Sequence, residues 1–434
     1  MTEGSGVTTT GGQPEPASPG STHSPAPLPP TAWQRTFSAL RHRNYRLWFL
    51  GQLVSLVGTW MQITAQSFLV FQLTHSTAYL GFVGFANGLP SWLFMLYGGV
   101  VADRVARRTL LLLTQSTMLL LAAVLAVLAF TGVVQPWHVV LLAFALGTAN
   151  AFDAPAGQAF VFDLVERADV TNAIALNASQ FNLATVVGPT VAGLTYAAFG
   201  PAWCFALNGL SYVAVLGALL RMRLPPGEPR ARASSAVAQL REGVRYTLAH
   251  PILRSLIAIQ AGTALFGMAY ATLLPAWAVA VLGGNATTNG LLQSARGAGS
   301  LLGALMIAAL AHHGRRGRWL TLGTFLFPAV VLVFAAVRTV PLALAVLVGV
   351  GWSSILLFNS ANTLVQAHVA DALRGRVMAI FSLTFFGGMP LCALWAGPLA
   401  DGIGAPATLG VSGGILLGLA VVSWVWAPQV RRLG

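Results

Sequence analysis

From residue 46 onward the chain alternates long apolar runs with short polar breaks. Such runs suit α-helices crossing a hydrocarbon layer, since a core ~30 Å thick needs ~20 residues of helix. Runs of that length fall near residues 46–72, 77–100, 109–131, 137–157, 172–199 and 202–221. A second set follows near 254–281, 288–311, 319–337, 341–362, 377–400 and 406–427. The pattern predicts an all-α membrane protein with twelve transmembrane helices. The break between the two sets is polar and Pro-rich at its start. Its later part, from Val237 to Leu248, reads as a helix lying on the membrane surface. Residues 1–32 are mostly Gly, Ser, Thr and Pro and cannot form a core, so a disordered tail is expected there. They lack the charged start and short apolar stretch of a signal peptide. The expected organisation is a tail (1–32), a first six-helix bundle (33–222), a linker (223–252) and a second six-helix bundle (253–434).

Polar residues inside the apolar runs are costly unless they face protein or water, so their spacing is informative. In span 1, Gln52, Ser55, Thr59, Gln62 and Gln66 draw one stripe along a helix face. In span 7, Gln260, Thr263, Gly267 and Tyr270 do the same. Two readings are open: the stripes line a central cavity, or they hydrogen-bond neighbouring helices. Span 8 carries Gln293, Arg296, Ser300 and Gly303 at similar spacing. An arginine keeps its charge, so Arg296 needs water, an acid or an anionic ligand. It either biases the choice of cargo or snorkels to the outer surface. Asn359, with Trp352 and Asn362, occupies a comparable face of span 10. Phe385, Phe386 and Trp395 in span 11 read first as packing.

Composition sharpens this picture. Hydrophobic residues make up 56% of the chain and charged ones 8%, more apolar surface than a soluble fold of 434 residues can hide. Every one of the 24 basic residues is arginine. With the N-terminus placed in the cytosol, 22 of the 24 fall in the breaks on one side, which the positive-inside rule makes cytosolic. Arg338 lies on the other side and Arg296 within a span. The net charge of +13 therefore reads as membrane topology and not as nucleic-acid binding. Cys204 and Cys392 lie in or beside apolar spans, where small buried packing residues are expected.

The two sets of spans are related. A shift of 204 residues brings Gly58 onto Gly262, Gly99 onto Gly303, Gly147 onto Gly351, Gly193 onto Gly397, Gly200 onto Gly404 and Gly209 onto Gly413. The same shift maps Thr59 to Thr263 and Gln66 to Tyr270. A duplicated six-span unit follows.

Twelve spans in two related halves, joined by a basic loop, resemble the major facilitator superfamily. That family carries a G-x-L-A-D-R-x-G-R-R pattern after span 2. Here the segment is Gly99-Val100-Val101-Ala102-Asp103-Arg104-Val105-Ala106-Arg107-Arg108, with Val101 for Leu and Ala106 for the second Gly. Other segments are similar to the enterobactin-exporter and macrolide-efflux branch, also called transmembrane secretion effectors. They include RNYRLWFLGQLVSLVGTWMQ, NAFDAPAGQAF, NAIALNASQFNLATVVGPTVAGLTY and RGRVMAIFSLTFFGGMPL. The likeness covers about residues 33–427.

The resemblance implies a secondary transporter working by alternating access, with a lipid bilayer and a small amphipathic cargo as its partners. It implies export, with protons as the coupling ion. It also implies a cytosolic latch in which Gly99, Asp103, Arg107 and Arg108 meet an acid at the end of span 4. Asp153 fits that position, and the cluster would face the start of span 11 near Val377. The stretch from Gly188-Pro189 to Gly193 resembles the G-P-x-x-x-G element of exporters, read either as a helix bend or as close packing. Many relatives carry an acid in span 1 where this chain has Thr59, which leaves Asp153 as the other candidate proton carrier. An importer and a membrane-embedded transferase are the competing readings. Against the transferase, no H-E-x-x-H or D-x-D occurs, and against an ATP-driven pump, no P-loop lysine is available. No cofactor, metal or nucleic acid is expected, and a monomer is.

Overall fold

The computed structural model describes residues 37–223, 236–310 and 316–431; a few side chains within these, Asp103 and the surroundings of Gly99 among them, lie outside the description. The expected tail, residues 1–32, also lies outside it. Among the described residues every regular element is a helix. The first half holds α1 (Arg43–Thr74), α2 (Thr77–Arg104), α3 (Arg107–Phe130), α4 (Pro136–Leu164), α5 (Val170–Phe199) and α6 (Pro201–Arg221). The linker contributes α7 (Ala236–Ala249). The second half holds α8 (Pro251–Gly267), α9 (Ala269–Ala276), α10 (Ala286–Leu310), α11 (Arg316–Ala336), α12 (Val340–His368), α13 (Arg374–Ile403) and α14 (Ala405–Trp426).

These helices coincide with the twelve predicted intervals, one interval being split. Nine of the described stretches are long and apolar enough to cross a membrane by length and composition. The other three long helices, α2, α5 and α10, carry small and polar residues that meet across the two halves. The predicted span 254–281 is divided at Met268. It continues as α9, which contains Pro275, and ends in a π-turn over Trp277–Val281. Proline lacks the N–H that would continue the ladder, and the wider turn closes on Leu282 N–H donating to Trp277 O at 3.0 Å.

The repeated glycines occupy equivalent places. Gly200 and Gly404 join α5 to α6 and α13 to α14, with φ of +86° and +85°, where a side chain would be strained. Gly58 of α1 packs on Asn208 and Ser211 of α6, and Gly262 of α8 packs on Leu419 of α14. Gly209 meets Leu119 and Ala122 of α3, and Gly413 meets Leu332 and Pro328 of α11. Gly193 of α5 reaches across to Thr287 and Gly290 of α10, while Gly397 of α13 reaches back to Thr77 and Gly81 of α2. Each contact in one half thus has its counterpart in the other.

The apolar core falls into clusters, one of which, around Phe68, also takes in Ala276 and Ala286 of the second half. Tyr270, Trp277, Phe327, Phe334 and Phe381 centre the cluster of the second half. The first half is built around several clusters, one around Phe68, Phe71 and Phe205 and another around Tyr45, Trp48 and Phe160. Cys204 and Cys392 are buried, unbridged thiols.

Candidate functional site

The halves meet along two seams, α2 against α13 and α5 against α10. Call the end carrying most arginines the basic end and the opposite one the far end. At the far end of the first seam, Asp401 accepts hydrogen bonds from Ser76 Oγ, from Thr77 N–H and Oγ1, and from Ala78 N–H. Thr77 Oγ1 also donates to Gly397 O at 2.7 Å. On the second seam, Ser294 Oγ donates to Val186 O at 2.7 Å and shares a hydrogen bond with Thr190 Oγ1 at 2.7 Å. Gly290 lies against Pro189 O and Gly297 against Thr185 O. These bonds and close approaches fall between residues 76–92 and 383–401, and between 185–193 and 286–297. The described parts of α5 and α10 nearer the basic end have no such bond between them. Among the described residues, the direct bonds between the halves lie toward the far end.

Arg296 sits where the α5–α10 seam stops. It is half-buried, and its guanidinium lies 5.8 Å from the centre of the Trp60 ring in α1. Trp60 in turn packs edge-on against Phe181 of α5 at 5.8 Å. None of the ion pairs among the described residues includes Arg296, and its Nε is buried without a partner. A fixed cation is thereby held between the halves over the Trp60 ring, without a carboxylate partner among the described residues. Gln293, one turn away on α10, is buried. Gln52 on α1 and Asn359 on α12 are half-buried.

Several other members of the two polar stripes meet helices of their own half. Gln62 Oε1 accepts from Asn208 Nδ2 at 2.6 Å, and the Thr59 hydroxyl lies 3.4 Å from that of Tyr212, both on α6. Gln66 is buried. Thr263 donates to Ile259 O and lines a small crevice with Phe327 of α11 and Leu416 and Leu419 of α14. Tyr270 packs on Phe327. Gln260 is buried with neither amide atom partnered. A stripe marks a polar face, and for Thr59, Gln62, Thr263 and Tyr270 the helix met by that face is a neighbour in the same half. Trp60, Asn208 and Tyr212 were not singled out by the sequence. Asn208, Ser211 and Tyr212 form a polar patch at helical spacing in span 6 that would have pointed to them.

The latch residues separate as well. Arg107 pairs with Asp163 at 2.7 Å and also donates to Ala159 O at 3.0 Å. Arg108 donates to Leu220 O at 3.1 Å, tying α3 to the end of α6. Asp153 is not the partner of Arg107: it lies ten residues deeper along α4, ~15 Å at 1.5 Å per residue. There it accepts from Thr114 Oγ1 at 2.6 Å and from Gln115 Nε2 at 3.1 and 3.2 Å. Gly99 and Asp103 fall outside the described surroundings. The start of α13 meets the linker helix, through Arg376 with Glu242 at 2.6 Å and Gly243 against Arg376 and Ile380. Gly188 and Pro189 sit inside the uninterrupted helix α5, with Gly188 against Trp60 and Val57 and Gly193 at the seam. Close packing accounts for both glycines.

Two related sets of long apolar helices meeting along two reciprocal seams, together with the family match to residues 34–432, place the chain among multi-pass secondary transporters of the major facilitator type, which are not enzymes. Solved structures share this fold. A bacterial homolog of the human lysosomal transporter Spinster, inward-facing and unoccupied, aligns with a TM-score of 0.64 at 16% identity, over 90% of this chain and 96% of that one. The nucleoside transporter NupG aligns with a TM-score of 0.64 at 15% identity, over 89% and 98%. Within that class the chain belongs to the transmembrane secretion effector family, whose sequence profile matches residues 34–432. Among its relatives is the enterobactin exporter EntS of Shigella flexneri, 27% identical over 414 residues, covering 92% of this chain and 96% of the relative. EntS of Escherichia coli O139:H28 is 27% identical over 417 residues, with the same coverage.

Proposed function

We propose that this protein exports a small, anionic amphipathic molecule across the bacterial inner membrane by proton-coupled alternating access. The basic end and both termini face the cytosol, in keeping with the arginine asymmetry. The far end is the external gate, and the closed far seam corresponds to an inward-open state. The observation that carries the reading is Arg296, in no ion pair among the described residues, over the ring of Trp60, which itself packs on Phe181. A cation in apolar surroundings is costly until an anion joins it, and the two rings offer the apolar part of an amphipath a surface. Export and the choice of enterobactin as first probe rest on the names of the relatives.

The test uses purified protein in vesicles. Enterobactin should move against its gradient when a proton gradient is imposed and stop when a protonophore collapses it. Arg296→Gln should reduce transport of anionic cargo more than of a neutral analogue. Equal effects on both would remove Arg296 from cargo recognition. Transport that survives loss of the gradient would rule out proton coupling.

A further inference from the structure

With Arg107 paired to Asp163, Asp153 has no cationic partner among the described residues, and its surroundings fit a different task. It lies eleven residues from the basic end of α4 at Leu164 and seventeen from Pro136 at the far end. At the helical rise that is ~16 and ~25 Å, well inside the apolar span. None of the ion pairs among the described residues includes it. The groups that face α4 there are few. From α3 come Thr114 and Gln115, while the cations of that helix, Arg107 and Arg108, are engaged with Asp163 and Leu220 O at its start. From α6, Tyr212 lies within electrostatic reach of Asp153. From α1 comes Trp48, near Gly157, and from α2 come Asn87 and Phe94. The one other described acid of α4, Asp163, is held by Arg107.

Gln115 supplies the second observation. Its side chain is buried, and its Nε2 bridges both Asp153 oxygens, yet its Oε1 is buried without any donor. A carboxylate offers only acceptors, so it leaves that oxygen unsatisfied. A neutral carboxyl would not. With a proton on Asp153 Oδ2, the new O–H can donate to Gln115 Oε1 while Gln115 Nε2 and Thr114 Oγ1 continue to donate to Oδ1. The acid and the amide then form a two-bond ring in which every polar atom is matched, and the uncompensated charge is gone.

We propose that Asp153 and Gln115 form the proton-binding site of this transporter, with Asp153 as the carrier and Gln115 and Thr114 as positioning residues. This deepens the reading of a proton-coupled exporter and rests on it for its role in transport, though not for the existence of the site.

Infrared difference spectra of the purified full chain, taken between about pH 4 and about pH 9, bracket the range over which a carboxyl in unusual surroundings titrates. A protonated-carboxyl stretch should titrate in the parent, vanish in Asp153→Asn and survive in Asp163→Asn. In Gln115→Leu the band should move to higher frequency, because the ring partner is lost; should Asp153→Asn fail to fold, this variant still reads the same group. A band retained in Asp153→Asn, or unmoved in Gln115→Leu, overturns the assignment. In vesicles, Asp153→Asn should lose gradient-driven enterobactin transport while retaining counterflow exchange. Gradient-driven transport retained by Asp153→Asn would sink its role as carrier. A parent that ignores the proton gradient, with the infrared band still assigned to Asp153, would sink the coupled-export reading and leave the site standing.

Discussion

Asp401 caps a helix that belongs to the other half of the molecule: its Oδ1 accepts from the N–H of Thr77 at 2.6 Å and from the Thr77 hydroxyl at 2.6 Å. Ser76, the residue preceding α2, makes no side-chain cap of its own. The four unpaired N–H groups of a helix start draw a carboxylate, and here the carboxylate arrives from 324 residues away. Closure of the far end therefore satisfies a helix terminus that separation would leave to water.

Replacing Asp401 with Ala should weaken that closure. Loss of an N-terminal cap costs about 0.5–2 kcal/mol. If the whole cost falls on the closed form, the closed-to-open ratio drops about 2- to 30-fold, since 1.36 kcal/mol is tenfold. Distances between spin labels placed on the far ends of α2 and α13 would report the shift. An unchanged distance distribution would mean that water replaces the carboxylate without loss.

The second seam can be tested by size alone. A Cβ on Gly290 would stand 2.4 Å from Pro189 O and 2.9 Å from Gly193 Cα, both backbone atoms that cannot rotate away. Gly290→Ala should hold α5 and α10 apart at the far end and raise labelling of a cysteine placed there. Gly217→Ala is the control, with nothing within 4 Å of its new methyl. It should be neutral or stabilise by about 0.5–1 kcal/mol through helix propensity.

The helix borders were legible because proline and glycine announce them. Gly200-Pro201 and Gly404-Ala405-Pro406 end one helix and start the next, and the linker helix expected over Val237–Leu248 occupies Ala236–Ala249. The partners across helices were not legible. Period 3.6 identifies the polar face of α1 but not the neighbour that meets it, so cavity and helix contact were equally readable for Thr59 and Gln62, whose partners Tyr212 and Asn208 lie about 150 residues on. The pairing of Trp60 with Arg296 depends on how the halves dock, which no local pattern encodes.

A pH dependence is expected at the basic end, where the turn Ser38–Arg41 docks on the start of α5. Asp169 is held there by His42 Nε2 at 2.7 Å and by Arg41 at 2.8 Å. These bonds, that of His42 first, lower its pKa to about 2. Because the folded value lies below the unfolded one of about 3.9, the contribution to stability is present above about pH 4 and is lost as pH falls toward about 2. Asp169→Asn should lower the melting temperature at neutral pH, and its difference from the parent should shrink across that window. A difference that stays constant down to about pH 2 would show that the carboxylate charge is not what holds the turn.

The last prediction separates the two acids of α4. Arg107 at the start of α3 reaches Asp163, in the last turn of α4, and at 13% side-chain exposure it is largely shielded from water. Asp153 faces Thr114 and Gln115 two turns further along α3. Residues in one ion pair couple, whereas sites with no shared partner add within about 0.3–0.5 kcal/mol. Arg107→Ala with Asp163→Asn should therefore be less damaging to thermal stability than the sum of the single changes, because the second removes a partner already lost. The pair is partly exposed on the Asp163 side, so the coupling should be small, on the order of 1 kcal/mol or less. Arg107→Ala with Asp153→Asn should be additive. If the coupling instead appears between Arg107 and Asp153, the arginine changes partner in another state of the transport cycle, and Asp153 would then be part of the basic-end latch after all.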